Sequence, residues 1–573
     1  MEFLFENFDK LAEAPGGVKK LREMILQFAV QGKLVEQDPS DEPASVLLEK
    51  IKVEKEKLIA EGKIKRQKEL EPIKESEIPF ELPKEWDIAR FIDITKVITC
   101  GIASTPTYTE KGMPFLSAKN VKPFRFLPKN HKFVSKELYK KITQNAKPEI
   151  NDILLTRVGA GIGEAAIIDI DFAFAFYVSL TLIKPFHCHL DSKYLLLYLS
   201  SPTGIMNSIS NIYGKGVSQG NLNVNQVRKF IVPLPPLAEQ KRIVSKVDSL
   251  MVLCDDLEKQ QQQKAEKKLT LNKASLLALN SSASKQEFSS HWKHITKNFD
   301  LLYSSQVNVK ELKQTILQLA VQGKLVEQDS HDEPASVLLE KIKAEKERLI
   351  AEGKIKRQKE LEPVRESEIP FELPKGWIWC RLGDITSLIT KGSSPKWQGV
   401  QYTDENDGIL FITSENVGSY KLLLNKKKYV EKKFNEIEPR SILTKNDILM
   451  NIVGASIGRV AIYNIEDLAN INQAVCLIRL LYQSSEYLRF MLNFLNSEIC
   501  ISYMFDKQVD NARANLSMGN ISKFIIPLPP LNEQKRIVEK VDYLMGLCDQ
   551  LSNGLKDQEE VSERLLSAVV GGV

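Results

Sequence analysis

The chain has 573 residues, 43% of them hydrophobic and 27% charged, with a formal net charge of +5. Those figures fit a globular chain large enough for several domains, and they exclude a disordered polymer or a polycation that holds anions along its whole length. Seven scattered cysteines show no ligand spacing, no apolar run approaches the roughly 18 residues of a membrane helix, and the opening MEFLFENFDKLAEAPGG lacks a signal-peptide pattern, so the expectation is a cytoplasmic protein with reduced thiols.

In chain order, Leu21, Ile25, Phe28 and Ala29 form a helical stripe up to Gln31, and Gly32 suits the left-handed residue that ends a helix. Ser40-Asp41-Glu42-Pro43 offers a polar cap followed by proline, which predicts a second helix to Glu61 with a narrow stripe of Leu47, Ile51 and Leu58. Residues 63–84, with Pro72, Pro79 and Pro83, read as a charged connector. From Trp86 onward short β-like runs dominate, among them 115–116, 152–155 and 165–168, with a helical patch over 192–200. The PLPPL of Pro233 to Leu237 is expected to end this insert, because prolines neither continue a sheet nor sit inside a helix. A long helix then runs toward Leu279, its apolar positions Ile243, Val247, Leu250, Cys254 and Leu257 spaced 4, 3, 4, 3 as a heptad seam, and 281–290 reads as a loop.

The remainder repeats this plan. Residues 316–375 copy 25–84 without a gap and differ at 7 of 60 positions, and 523–549 echo 229–255, including a second seam of Ile537, Val541, Leu544, Cys548 and Leu551. The offsets of 291 and 294 residues are far too long for a solenoid repeat, so they mean two halves. The material between the echoes diverges strongly. The expected division is a helical region at 1–84, an insert at 85–235, a central helical region at 236–375, a second insert at 376–529 and a final helix at 530–573. The fold class is α+β: two compact, mostly-β inserts joined by long helices. Identical seams favour mutual pairing of those helices in an antiparallel coiled-coil bar, giving a pseudo-two-fold molecule in which the last helix returns to the first ones.

Catalytic motifs are weak. Val158-Gly159-Ala160-Gly161-Ile162-Gly163 could pass for a dinucleotide or methyl-donor turn, but its counterpart Val453-Gly454-Ala455-Ser456-Ile457-Gly458 lacks the middle glycine and β-like residues follow where a helix is needed. A tight turn between strands is the better reading. No GxxxxGK[ST] phosphate loop and no NPP-aromatic run occurs, and His187 with His189 make no metal set. Binding chemistry is better represented. The first insert offers Thr105, Tyr108, Lys119, Asn120, Arg157, Lys215, Gln219 and Asn221, and the second Lys391, Ser393, Lys396, Glu415, Asn416, Lys507, Asn511 and Arg513. Such side chains pair with base edges in a major groove or hold phosphates, and they stand at matching places in two inserts that otherwise diverge.

These residues resemble the specificity subunit of type I restriction-modification systems over essentially the whole chain. The resemblance is carried by the twice-occurring ILQxAVQGKLVEQD, by LPKGWxWxRLGDI at 373–385, by the VGASIG turn and by FIIPLPPLNEQKRIVEKVD at 524–542; the first lead-in departs from it, with Glu85 and Asp87 in place of Gly376 and Ile378. It implies two target-recognition domains, each reading one half of a split, asymmetric site in double-stranded DNA. It also implies no catalysis in this chain. Two methyltransferase subunits and restriction or motor subunits would be the partners, and S-adenosylmethionine, ATP and magnesium would belong to those partners, leaving no cofactor here. A seam of roughly 30 Å, at about 1.5 Å per residue, corresponds to an unread spacer near one turn of DNA. Two other readings stay open at this point. A fused methyltransferase or restriction enzyme would transfer methyl groups unaided, and a protein-only coiled-coil scaffold would show no salt-sensitive retention on DNA.

Overall fold

The computed structural model describes residues 12, 14, 16–144, 146–213, 220–282, 284–506 and 516–571. The chain divides into two compact units, residues 1–264 with 558–573, and residues 265–557. No helix among the described residues is long and apolar enough to cross a membrane.

In the first unit the repeated stretch forms α1 (Gly17–Val30) and α2 (Ala44–Ala60). Gly32 does end the first helix in the left-handed region, φ 69°, and its missing side chain has a second use: a Cβ there would come within 2.4 Å of Pro83 and 3.1 Å of Trp86. The connector thus returns onto the helix end. The polar cap expected for α2 does not form, since Pro43 holds the N-cap position without a side-chain bond. The first amide, Ala44 N, donates instead to Glu85 O at 3.1 Å, and Asp41 pairs with Arg242 at 2.7 Å. What reads locally as a cap is a clamp between segments far apart in sequence.

The insert follows as β1 (Asp87–Arg90), β2 (Thr95–Cys100), β3 (Met113–Leu116), β4 (Lys132–Val134), β5 (Ile153–Thr156), β6 (Ala165–Ile167), β7 (Ala175–Phe176), β8 (Leu180–Pro185), helix α3 (Ser192–Ser200) and β9 (Ile231–Leu234). An antiparallel sheet of order β2-β8-β5-β6 lies beside a second of order β4-β3-β7, in which β3 and β7 run parallel. The GAGIG stretch is the turn between β5 and β6, with Ile153 opposite Ile167. PLPPL ends the insert as expected, with the consecutive Pro235 and Pro236 separating β9 from the helix that starts at Leu237, but its first proline belongs to the sheet: Pro233 lies inside β9, opposite Ile88 of β1, in a two-stranded ribbon. An edge tolerates the missing N–H.

After β9 the long helix α4 (Leu237–Asn280) begins in the first unit and ends in the second. The loop expected over 281–290 is much shorter, because α5 (Lys285–Lys297) starts there with Ser284 Oγ accepting from Glu287 N at 3.2 Å. Ser284-x-x-Glu287 is the sequence pattern of a helix start, and it shortens the loop.

The second unit repeats the plan with α6 (Gln306–Val321), α7 (Ala335–Ala351), β10 (Ile378–Arg381), β11 (Thr386–Lys391), β12 (Tyr402–Thr403), β13 (Gly408–Ile412), β14 (Tyr429–Glu431), β15 (Ile448–Asn451), β16 (Val460–Ile462), β17 (Ala469–Ile471), β18 (Val475–Leu480), α8 (Ser485–Leu495), β19 (Ile525–Leu528) and α9 (Leu531–Gly571). Its sheets have the orders β11-β18-β15-β16, β12-β14-β13-β17 and β10-β19. Divergent sequences therefore build the same four-stranded sheet and ribbon, the second unit adding the edge strand β12 to the smaller sheet, since strand register follows the buried positions rather than the surface ones.

The heptad positions are buried within their own halves. Ile243 and Val247 sink into a core with Leu26, Ala29 and Trp86, while Cys254 and Leu257 pack against Val18, Leu21 and Ile25 of α1. Leu250, Leu257, Leu544 and Leu551 are only half-buried. In the second unit Ile537, Val541, Leu544, Cys548 and Leu551 share a core with Leu312, Ile316 and Ala320 of α6. Polar bonds follow the same pairing: Arg22 reaches Asp255 at 2.5 Å, and Lys313 reaches Asp549 at 2.5 Å. A 4-3 spacing specifies a helix partner without saying which one, and the copied ILQxAVQG helix supplies it.

Candidate nucleic-acid interface

Residues 176–180 of the first insert gather several loops at one end of the domain. Tyr177 N donates to Leu116 O (2.9 Å), Val178 N to Ile102 O (2.9 Å), Ala118 N to Ser179 Oγ (3.0 Å) and Arg157 N to Ser179 O (2.9 Å). Leu222 N then donates to Arg157 O at 2.8 Å. The loops carrying Thr105 and Tyr108, Lys119 and Asn120, Arg157, and Asn221 therefore converge. Gly101 makes the approach possible, because a Cβ there would stand 2.0 Å from Phe176 O.

The second insert has the same hub. Asn472 N donates to Ile412 O and Ile452 N to Ala474 O, both at 3.0 Å, while Asn451 Nδ2 reaches Ser414 O at 2.9 Å. Gly392 is pressed still harder, 1.8 Å from Ile471 O for a built Cβ. Lys391, Ser393, Lys396, Glu415 and Asn416 all lie on the loops that leave it.

Within these loops the structure separates braces from presented groups. Asn120 and Asn416 are buried, and each directs both amide protons inward, to Leu127 O and Asn130 O in the first domain and to Leu423 O and Lys426 O in the second. Their side-chain oxygens accept from Ser117 N and Thr413 N at 3.0 Å. Neither has a donor left for a base, so the sequence-based assignment is corrected: both are hairpin braces. Arg157 is likewise a brace, with Nε on Leu222 O, Nη1 on Val178 O and Nη2 on Asn221 Oδ1 at 2.7 Å, which also occupies the acceptor of Asn221. Ser393 is buried and accepts from Gln398 Nε2 at 2.9 Å.

The presented groups are Thr105, Tyr108, Lys119, Lys391, Lys396 and Glu415, all exposed. Glu415 meets Lys428 at 3.0 Å, and that bond holds its carboxyl below the usual glutamate range, so it stays an acceptor. Tyr108 carries the Lys132 ammonium 3.9 Å from its ring centre. Lys215, Gln219, Lys507, Asn511 and Arg513 lie outside the described residues.

One feature escaped sequence reasoning. Phe124 and Tyr420 occupy the left-handed region at φ 63° and 67°, at matching hairpin tips where their amides donate to Ala165 O and Val460 O. A bulky residue at positive φ is a strained outlier, and NV-x-x-aromatic-basic in both inserts is its only sequence trace. Trp397, at the end of the Lys391-Gly392-Ser393-Ser394-Pro395-Lys396-Trp397 stretch, is 75% exposed.

Each unit carries a β-rich head with a cluster of polar and basic loops, the chemistry of a domain that binds an extended polar ligand such as DNA. The family described as Type I restriction modification DNA specificity domain matches residues 83–267 and 374–560, one copy in each half. The chain is 35% identical to the type I restriction enzyme EcoAI specificity subunit of Escherichia coli over 96% of this chain and 93% of that one. It is 33% identical to the EcoEI specificity subunit of Escherichia coli over the same shares. A solved chain from a study of complex assembly and conformational transition of the type I R-M system superposes with a TM-score of 0.48 at 17% identity, covering 86% of this chain and 98% of that one. The chain belongs to the type I restriction-modification DNA specificity family, and its role is DNA sequence specificity.

Proposed function

We propose that the domains at 85–235 and 376–529 each read one half of a bipartite, asymmetric DNA site. The helical regions at 1–84, 236–375 and 530–573 set the unread spacer and dock two adenine methyltransferase subunits, with restriction or motor subunits joining for cleavage. The chain performs no chemistry itself. S-adenosylmethionine, ATP and magnesium belong to the partners.

One observation carries this reading. The hubs at 176–180 and 471–475 are built alike, yet the groups presented from them differ: threonine, tyrosine and lysine in one, two lysines and a glutamate in the other. Equal scaffolds with unequal donor and acceptor sets suit two different half-sites, since each base pair offers its own pattern in the major groove. Replacing 85–235 with the corresponding stretch of the EcoAI subunit, co-expressed with the chain's own methyltransferase, is expected to change one half-site in methylome sequencing and leave the other. A swap that alters both halves overturns the modular reading.

A further inference from the structure

We infer that Trp397 is the base-stacking residue of the second recognition domain, an aromatic wedge placed against the bases of the second half-site. This rests on the reading of the two domains as DNA readers and adds to it one specificity-determining side chain.

The argument starts from a cost. Burying an indole is among the larger apolar gains a chain can make, and Trp is usually well buried. Trp397 is 75% exposed, whereas Trp86 and Trp377 are buried at 7% and 8%. A flexible loop could shed that exposure by folding its tryptophan back onto the domain. This loop is fixed from both sides. Pro395 to Gln398 is a 3-10 turn, Pro395 is buried, and Val400 N closes on Pro395 O at 2.9 Å. Gln398 Nε2 donates both to buried Ser393 Oγ (2.9 Å) and to Glu438 Oε1 (3.0 Å), the latter carboxylate being 7% exposed. Val400 is anchored in a small core with Phe411, Val430 and Phe434. The turn is thus braced by buried side chains, and Trp397 is held out to solvent from it. An apolar face held rigid in this way loses little conformational entropy on binding, so its contact energy is retained.

Position gives the ligand. Trp397 follows Gly392 on the loop leaving the hub, next to Lys396 and six residues after Lys391, both exposed cations suited to phosphates. An aromatic ring flanked by backbone-binding cations is the composition that accepts a base face. The first domain supplies a comparison. Its Tyr108 lies edge-on to Phe115 at 6.1 Å, and the matching ring of the second domain is Tyr402, edge-on to Phe411 at the same distance, each followed by a threonine paired across to Phe133 or Tyr429. Trp397 lies between Gly392 and that shared tyrosine, whereas the corresponding stretch of the first domain, between Gly101 and Tyr108, holds no aromatic residue. The indole is therefore a feature of the second head alone, and the two half-sites meet unlike chemistry at this loop.

The test uses the full chain assembled with its methyltransferase subunits and a duplex carrying the methylated site, with 2-aminopurine placed along the second half-site. With the wild type, at least one position should report a change in stacking on binding, and tryptophan emission should be quenched. W397A should lose both signals and weaken binding and methylation about 10- to 100-fold, the range for losing one aromatic–base stack, whereas W397F should stay within about threefold, because the ring is kept. Substitution of Tyr108 by phenylalanine should leave the second half-site untouched. The inference is overturned if W397A binds and methylates like the wild type, or if it loses the methyltransferase subunits while its probe signals persist, which would make the indole a protein contact. In both cases the wild-type complex still binds its bipartite site, and the reading of the domains stands. Absence of sequence-specific binding by the wild-type complex would overturn that reading together with this inference.

Discussion

Asn416 illustrates how much a single side chain can carry without touching a ligand. Its amide closes the hairpin that follows β13 by bonding two carbonyls seven and ten residues away, while its oxygen takes the Thr413 amide. Removing it leaves buried carbonyls and an amide unpaired, each at about 1–3 kcal/mol. Asn416→Ala is therefore expected to lower the urea midpoint of the second unit, and any loss of DNA affinity should track that loss of stability. Glu415→Gln, at the exposed neighbour, should leave the midpoint within about 0.5 kcal/mol and alter sequence preference alone. Chemical denaturation beside binding measurements separates the two; an Asn416→Ala protein of native stability with lost specificity would restore the asparagine to base reading. The same distinction explains what the sequence could and could not convey about the site. Residue types typical of base recognition point to segments that the structure gathers at the two hubs, where Thr105, Lys119, Lys391 and Glu415 are exposed. They did not separate Asn120, Arg157, Ser393 and Asn416 as braces, because polar side chains close tight loops with the same hydrogen bonds they would give a base. Only burial decides between those uses.

At the level of elements, the join between each head and its long helix is made by the same buried bond. Trp377 Nε1 donates to Glu533 Oε2 at 3.0 Å and Gln328 Nε2 to Oε1 at 3.1 Å, repeating Trp86, Gln37 and Glu239 in the first unit. Both glutamates are 1% exposed, and burial pushes their carboxyls above the ordinary range, against the pull of the hydrogen bonds and of Arg536 or Arg242. A carboxyl whose folded pKa lies above its unfolded one favours folding most below the unfolded value, about 4.3 for glutamate. That contribution is lost as pH rises through the folded value. Glu533→Gln keeps an acceptor for the indole and removes the ionisation, so its stability relative to wild type should improve as pH is raised from about 4 toward neutrality. Urea midpoints of both proteins across that range provide the difference; a constant difference, or one moving the other way, would show that the ionised carboxylate is the better partner. Elements of this kind were only partly legible. The periodicity of α1, α4 and α9 stands in the sequence, but the tryptophan–glutamate bond spans 156 residues and nothing local announces it. Pro233 inside β9 misled for a related reason, since edge position is a property of the sheet and not of the strand.

At the scale of the whole molecule, connectivity limits what can set the spacer. The chain passes between units inside helices: α4 leaves the first unit at residue 264, and α9 leaves the second at 557. Helix is a stiff spacer with a fixed rise, so the distance between heads should follow the number of residues in these two segments. Most of 258–268 is exposed, and none of it is buried, so insertion there leaves both cores intact. One heptad added to each helix at its crossing point lengthens the path by about 10 Å, close to three base pairs at about 3.4 Å each, while keeping every apolar stripe in phase. The expected outcome is a methylated site with unchanged half-sites and a spacer longer by about three base pairs, read by methylome sequencing of cells carrying the variant and its methyltransferase. Four residues in place of seven would add about 6 Å and turn one head by roughly 40° about the helix axis, so that variant should methylate poorly rather than at a new spacing. An unchanged spacer in the heptad variant would mean that the docked methyltransferase subunits, and not the helices, hold the heads apart.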